Sequence, residues 1–587
     1  MMSVKQGTLN RVTLTPGIMV FKQNPSSSPR LKRSLQVGAV LAGVAGMIYL
    51  VQAKPFGPMN SGNPASVGNE IDLTQPDPSL QNAIAANPKT RSTLIGTNLN
   101  GIADWSTQWS FVDVFKTSRD WISQREGAAW GEGGKINLTP DGWVASLEPG
   151  QWVETVMMIG SSHYPAGKYT LLYDGEGKMT FAFDHAKIVS QSPGRMVVEV
   201  KPDEAGVFLQ IRETNPKNPI RNIRFIMPGF EQTYQTQPFH PLFLQRISHF
   251  SSLRFMDWMA TNHSEVVHWN DRATPNSVRQ AGGKGVALEH MIQLANTLKV
   301  DPWFTLPAKA SDDYMRQFAT MVRDRVDPSL KIHIEYSNEV WNGIFSQHRY
   351  AAEQGRARKL ANDDYGASLL FYSERSVEIF KIFNQVFGSS ADKRLVRVLA
   401  GQAANPWTAE QILGWKDAYK HADAYAIAPY FDGADFDKNG NSDLNDAKRA
   451  DAIAKMSVDQ IVENLLAGIP GLQPMLDDNV KVAKRFGLPL YAYEGGPHLT
   501  AYQFPDDKIE PITKLFAQAN RHPKMRDVYR AYLNLWKQSG GSLFNQFVDV
   551  AQPSKWGFWG AMEYQNQDLK QAPKYQGLLD FINANSN

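Results

Sequence analysis

Apolar and polar positions recur along this chain with two different periods, and the change of period divides it. Between Gly131 and about Phe230 the runs are short and alternate: Trp152 to Met158, Tyr169 to Tyr173, Met179 to Phe183, Met196 to Val200, Val207 to Ile211 and Ile223 to Ile226. Turns bearing Gly, Pro and Asp separate them, so strands at roughly ten-residue spacing predict an all-β sandwich. After it, strand and helix patterns alternate. Ser252 to Met259 reads as a strand. Gly285 to Val300 reads as a helix with Leu288, Met291, Ile292, Ala295 and Leu298 on one face. Trp303 to Leu306 is a strand. Ser311 then caps a helix with the stripe Met315, Phe318, Val322 and Val326, closed by Asp327-Pro328. Lys331 to Tyr336 is a strand, followed by a long helical stretch to about Phe387. Leu395 to Ala400, Ala424 to Ala428, Leu488 to Tyr493 and Leu543 to Val548 are further strands.

With Leu94 to Asn100 placed before the sandwich, the strands number eight. The pattern predicts an α/β fold, a (β/α)8 TIM barrel over 93–130 and 231–587, with a β-sandwich at 131–230 inserted after the first strand.

The N-terminus follows another pattern. Residues 1–33 carry Lys5, Arg11, Lys22, Arg30, Lys32 and Arg33 and no acidic side chain, and residues 34–53 are almost wholly apolar or small. A basic flank followed by an apolar run long enough to span a bilayer predicts export, with the N-terminus inside. The run is either an uncleaved membrane anchor or a signal sequence, since Val51-Gln52-Ala53 resembles a small-residue cleavage site. Residues 54–92, rich in Pro, Asn, Ser and Gly, read as a linker. The formal net charge is +3; without the six basic residues of the head it is about −3. That leaves no basic surface for nucleic acid. The absence of cysteine excludes disulfides and thiolate chemistry.

The candidate chemistry lies where two apolar runs end. Lys331 to Tyr336 gives way to Asn338-Glu339, and Leu488 to Tyr493 gives way to Glu494-Gly495-Gly496. Two glutamates at the C-terminal ends of parallel barrel strands face one mouth, and a carboxyl pair is what glycosidic cleavage uses. Glu335 shares the strand alternation with Glu339 and is its rival. Glu494 read blandly would only cap the next helix. The 15 tryptophans suit stacking on sugar rings as well as a core.

In these residues the chain resembles the retaining (β/α)8 glycoside hydrolases of the cellulase-like clan, over roughly Leu94 to Tyr564. The resemblance implies that Glu339 is the acid/base, Glu494 the nucleophile, and Asn338 the contact to the sugar 2-hydroxyl. It also implies roles for Arg254 in SLRFMDW at the end of the second strand, Tyr430 in IAPYF after the sixth, and Trp556 or Trp559 in SKWGFWG after the eighth. Trp341 and His498 stand close enough in sequence to the two glutamates to line the same site. The chain departs from the family pattern after the third strand, where LPAKAS puts Lys309 in place of a histidine. Arg254 could instead form a core ion pair with Asp257.

The implied activity is hydrolysis of a polysaccharide or oligosaccharide by an exported enzyme, with no cofactor required for the chemistry. An inactive polysaccharide-binding protein and a transglycosylase remain as alternatives. The sandwich either binds sugar as an accessory module or caps the barrel. Finally, Asp435, Asp437, Asn439, Asn441, Asp443 and Asp446, with Gly440 at the sixth position, have the spacing of a calcium loop. The bland alternative is an Asx-rich surface loop.

Overall fold

The computed structural model describes residues 94–160, 163–203, 205–432 and 446–586. Eight parallel strands close into a barrel: β1 (Ile95–Asn98), β2 (Ser252–Arg254), β3 (Asp301–Leu306), β4 (Ile332–Tyr336), β5 (Leu395–Ala400), β6 (Ala424–Ile427), β7 (Leu490–Ala492) and β8 (Gly541–Gln546). Closure comes from β1, which pairs with β8 at Ile95 to Phe544 and with β2 at Thr97 to Leu253. The strands are buried on both faces, which is why they read as apolar runs. Outward residues such as Leu253, Phe304, Ile334 and Leu399 join the core under the helices. Trp303, Val396, Val398, Ala426, Tyr493 and Leu543 fill the barrel interior.

Helices follow the strands as the pattern requires. Leu288–Leu298 follows β2, and Asp312–Arg325 follows β3 with the Ser311 side chain accepting from the Tyr314 N–H. The long helical stretch after β4 is two helices, Ser346–Ala357 and Asp364–Phe387. The Asp363 side chain caps the second. Strand β2 is only Ser252–Arg254, shorter than the run to Met259, because Met259 N–H bonds Phe255 C=O in a turn.

Between β1 and β2 lie two four-stranded antiparallel sheets around their own core. One has the order Ile122–Arg125, Gln151–Met157, Val207–Thr214, Gly177–Ala182; the other runs Arg221–Ile226, Gly167–Asp174, Arg195–Val200, Ala186–Ser192. Ile122–Arg125 pairs with Gln151–Met157, so the sandwich begins before Gly131. Ala186–Ser192 has no apolar alternation because six of its seven residues are exposed on a sheet edge.

The segments into and out of the sandwich lie side by side. Phe111 bridges Phe239 and Asp113 bridges Ile226, both antiparallel. His240 N–H donates to Ser110 C=O at 3.0 Å, and Met227 N–H to Val112 C=O at 2.9 Å. Side chains there alternate between the two cores: Phe111 and Phe239 enter the barrel's, Val112 and Val114 the sandwich's.

The basic segment 1–33, the apolar run 34–53 and the linker 54–92 lie outside the described residues, as do Asp435, Asp437, Asn439, Asn441 and Asp443. Asp446 opens helix Asp446–Ile453, with its side chain outside the described set. Among the described residues no helix is long and apolar enough to cross a membrane, and no group of three or more acidic or histidine side chains is placed to hold a metal.

Candidate active site

Arg254, the last residue of β2, is completely buried at the barrel mouth. A guanidinium has five N–H donors in a fixed plane, and every one is used. Nε and Nη2 donate to Glu335 Oε2 at 3.1 and 3.0 Å, and Nη2 also donates to Asn338 Oδ1 at 2.8 Å. Nη1 donates to Asn98 Oδ1 at 3.0 Å and to Glu494 Oε2 at 3.1 Å. The ion pairs of Arg254 thus run to Glu335 and Glu494, and not to Asp257.

Glu494, two residues past β7, is also fully buried, and its Oε1 accepts from the Tyr430 hydroxyl at 3.1 Å. Gly495 beside it leaves no room for a side chain: a Cβ there would stand 2.7 Å from the Tyr532 hydroxyl and 2.8 Å from the Phe544 ring. Close packing against β8 and the helix Met525–Ser539 therefore explains this glycine. Glu339, three residues past β4, is 6 % exposed. Its Oε1 accepts from the Tyr493 hydroxyl at 2.9 Å and its Oε2 from Asn342 Nδ2 at 3.0 Å. Ser337 and Glu339 both have left-handed backbone, with φ of 61° and 42°. Non-glycine residues hold such angles only where surrounding contacts enforce them, and such strain clusters at functional sites. Here Gln347 Nε2 bonds the Asn338 carbonyl at 2.9 Å, and Asn338 Nδ2 donates to Asn262 at 3.1 Å.

Sequence reasoning missed several of these partners. Asn98 lies within the strand-like run Leu94 to Asn100 with nothing in the sequence to single it out, yet its Nδ2 ties β1 to the Tyr493 carbonyl at 3.0 Å. Tyr493 resembled a core aromatic. Glu335, the rival to Glu339, points into the barrel, where Trp303 Nε1 at 2.8 Å and Arg254 hold it. Only the closure of the barrel brings these groups together.

Beyond Glu494 the mouth is aromatic. Trp559 packs edge-on to Tyr430 and His498, each with ring centroids 5.5 Å apart, in a cluster with Met256, Phe547 and Val548. Trp559 Nε1, His498 Nε2 and Trp341 Nε1 are all buried without a hydrogen-bond partner. Trp556 sits further out, stacked on Tyr502 at 5.2 Å. Lys309 is ion-paired to Glu265 at 2.7 Å.

Burial dominates the electrostatics. Burial, and then repulsion from Glu339, push Glu494 up to about 8, against the opposing pull of Arg254 and Tyr430. Burial raises Glu339 as well, opposed by its bonds from Asn342 and Tyr493. The two carboxyls form one coupled unit. Only Glu494 touches a cation, so in the singly protonated pair the charge belongs on Glu494 and the proton on Glu339. Burial raises Tyr430 and Tyr493 well above the usual phenol value, which keeps their hydroxyls as donors. Burial lowers His498 to about 4, so its ring is neutral.

No family model matches the chain, and no curated protein matches it. Solved structures to which it is similar include the GH51 arabinofuranosidase from Xanthomonas axonopodis pv. citri, at 12% identity over 53% of this chain and 61% of that one, TM-score 0.35. The thermostable GH51 alpha-L-arabinofuranosidase from Thermotoga petrophila matches at 14% identity over 58% of this chain and 63% of that one, TM-score 0.35. The CBM22-1–GH10 modules of endo-1,4-beta-D-xylanase 10B from Clostridium thermocellum match at 11% identity over 82% and 98%, TM-score 0.31. The chain spans just over six tenths of the length of the two arabinofuranosidases, 61% and 63%.

Proposed function

We propose that the protein is an exported, membrane-tethered retaining β-glycoside hydrolase that cleaves an oligo- or polysaccharide by double displacement. One observation carries this reading. Two buried glutamates stand at the ends of β4 and β7 in one barrel mouth, and only Glu494 touches a cation. Glu494 is the nucleophile. It attacks the anomeric carbon while Glu339 gives its proton to the departing oxygen. Once Glu494 is esterified its charge is gone, and Glu339, now an anion, takes a proton from the water that releases the sugar. Arg254 and Tyr430 hold the two oxygens of Glu494. Export and tethering are supported by the basic head and the apolar run at 34–53.

A screen of plant and bacterial polysaccharides for released oligosaccharides, read by mass spectrometry, tests the activity. Glu494→Gln should lower turnover by roughly 10⁴-fold or more with the fold intact; near-native turnover would remove Glu494 from its role. Direct attack requires the carboxyl groups to stand about 5–5.5 Å apart in the Michaelis complex and the anomeric configuration to be retained. Proton NMR of the first product reads the configuration, and inversion would overturn the double displacement.

A further inference from the structure

The sheet formed by Ile122–Arg125, Gln151–Met157, Val207–Thr214 and Gly177–Ala182 has one face in the sandwich core, where Val153, Met157, Leu209 and Ile211 lie. Alternation sends Trp152, Glu154, Gln210 and Arg212 to the other face. Among them is a polar row that is almost fully satisfied. Glu154, 5 % exposed, accepts from Gln124 Nε2 at 2.7 Å and Trp130 Nε1 at 2.8 Å on one oxygen, and from Gln210 Nε2 at 2.8 Å on the other. Gln210 Oε1 in turn accepts from Arg212 Nε at 3.1 Å and Nη2 at 2.6 Å. The Arg212 guanidinium lies 4.3 Å over the Trp152 ring, whose Nε1 is buried without a partner.

At one end of this row Trp130 is 61 % exposed. An indole left in water forgoes the largest burial any side chain offers, and this one is nevertheless fixed in place. Its ring nitrogen is tethered to a buried carboxylate. Its loop is folded back on the sheet through Gly133 N–H to Ser123 C=O at 3.0 Å, with no room for a Cβ at Gly133. A rigid, exposed aromatic ring beside oriented polar groups is a preorganised platform for a ligand.

We propose that this face is a second glycan-binding site, separate from the barrel mouth, that holds a neutral polysaccharide chain against the Trp130 ring. Sugar rings present apolar C–H faces that stack on indole and hydroxyl edges that bond polar groups. The row balances one carboxylate, Glu154, with one guanidinium, Arg212, which suits an uncharged ligand. Two rings are exposed on this sheet, Trp130 beside one edge strand and Phe183, packed edge-on against Phe208, beside the other; set apart by satisfied polar groups, they are too little apolar area for a protein interface of about 800 Å² per partner. The face fits a narrow chain.

Affinity electrophoresis tests this with the full chain carrying Glu494→Gln, so that binding is read without turnover and stands whether or not the barrel hydrolyses anything. The gels contain arabinoxylan, mixed-linkage β-glucan or galactomannan, with alginate as the anionic comparison. Migration should be retarded in at least one neutral gel. Adding Trp130→Ala should weaken that retardation roughly tenfold, while Trp130→Tyr, which keeps a ring, should restore part of it. Adding Trp559→Ala at the barrel mouth should leave most of it. Circular dichroism checks that each variant is folded. No retardation in any neutral gel overturns the proposal, as does retardation that survives Trp130→Ala but is lost with Trp559→Ala. Preferential retardation by alginate overturns the neutral class of ligand.

Discussion

At the scale of single residues, the site works by unequal treatment of two similar carboxyls. Tyr430 and Arg254 both favour the charged form of Glu494. Tyr430→Phe removes one of these stabilising contacts, so the Glu494 carboxyl should titrate higher. A nucleophile that must be ionised then needs a higher pH, and the acidic limb of the kcat/KM profile should move upward. A limb that stays in place, or moves down, would take the Tyr430 hydroxyl out of this role. Glu339→Ala should behave differently. With poor leaving groups the rate should fall by about 10²–10⁴-fold, whereas activated aryl glycosides should still form the glycosyl-enzyme and azide should speed its breakdown. Equal loss on both substrates without azide rescue would point to Glu335 or elsewhere. The positions of Glu339 and Glu494 could be read from sequence because each follows a strand-like run directly. Asn98, Tyr493 and Asn262 could not, since their partners are distant in sequence and meet only in the closed barrel.

At the scale of elements, strong apolar runs were legible and weak ones were not. Leu395–Ala400 starts and ends where its pattern does. The edge strand Ala186–Ser192 exposes its apolar residues Ile188 and Val189 along with its polar ones, so its sheet partner Arg195–Val200 defines it and its own residues do not. The end of β7 shows how tightly such elements are fitted. Gly495→Ala would push a methyl group into Tyr532 and Phe544, side chains that the helix Met525–Ser539 and β8 hold in place. Overpacking of this kind costs about 1–3 kcal/mol. Chemical denaturation should show that loss, together with reduced turnover, because the neighbouring residue is Glu494. Unchanged stability would mean that the β7 end yields more easily than its contacts indicate.

At the scale of the whole molecule, barrel and sandwich have separate hydrophobic cores, yet the paired segments around Phe111 and Phe239 feed side chains into both. Melting either module would strip partners from the other. Calorimetry of the body should therefore give one cooperative transition, and Phe239→Ala, a large-to-small change at the junction, should begin to split it. Two resolved peaks in the unmodified protein would falsify that coupling.

The same junction bears on how the barrel tolerates so large an interruption. Ser110 and His240 are hydrogen-bonded neighbours although 130 positions separate them along the chain. Viewed from β1 and β2, the chain leaves for the sandwich and returns through the footprint of an ordinary hairpin, two backbones about 4.8 Å apart. What is attached at the far end makes no demand on strand register. A module of different size could be grafted at this point with the strand register kept, provided it supplies new partners for the barrel-side groups that now meet the sandwich, among them Val278 bonded to Asp141 and Tyr564 stacked on His163.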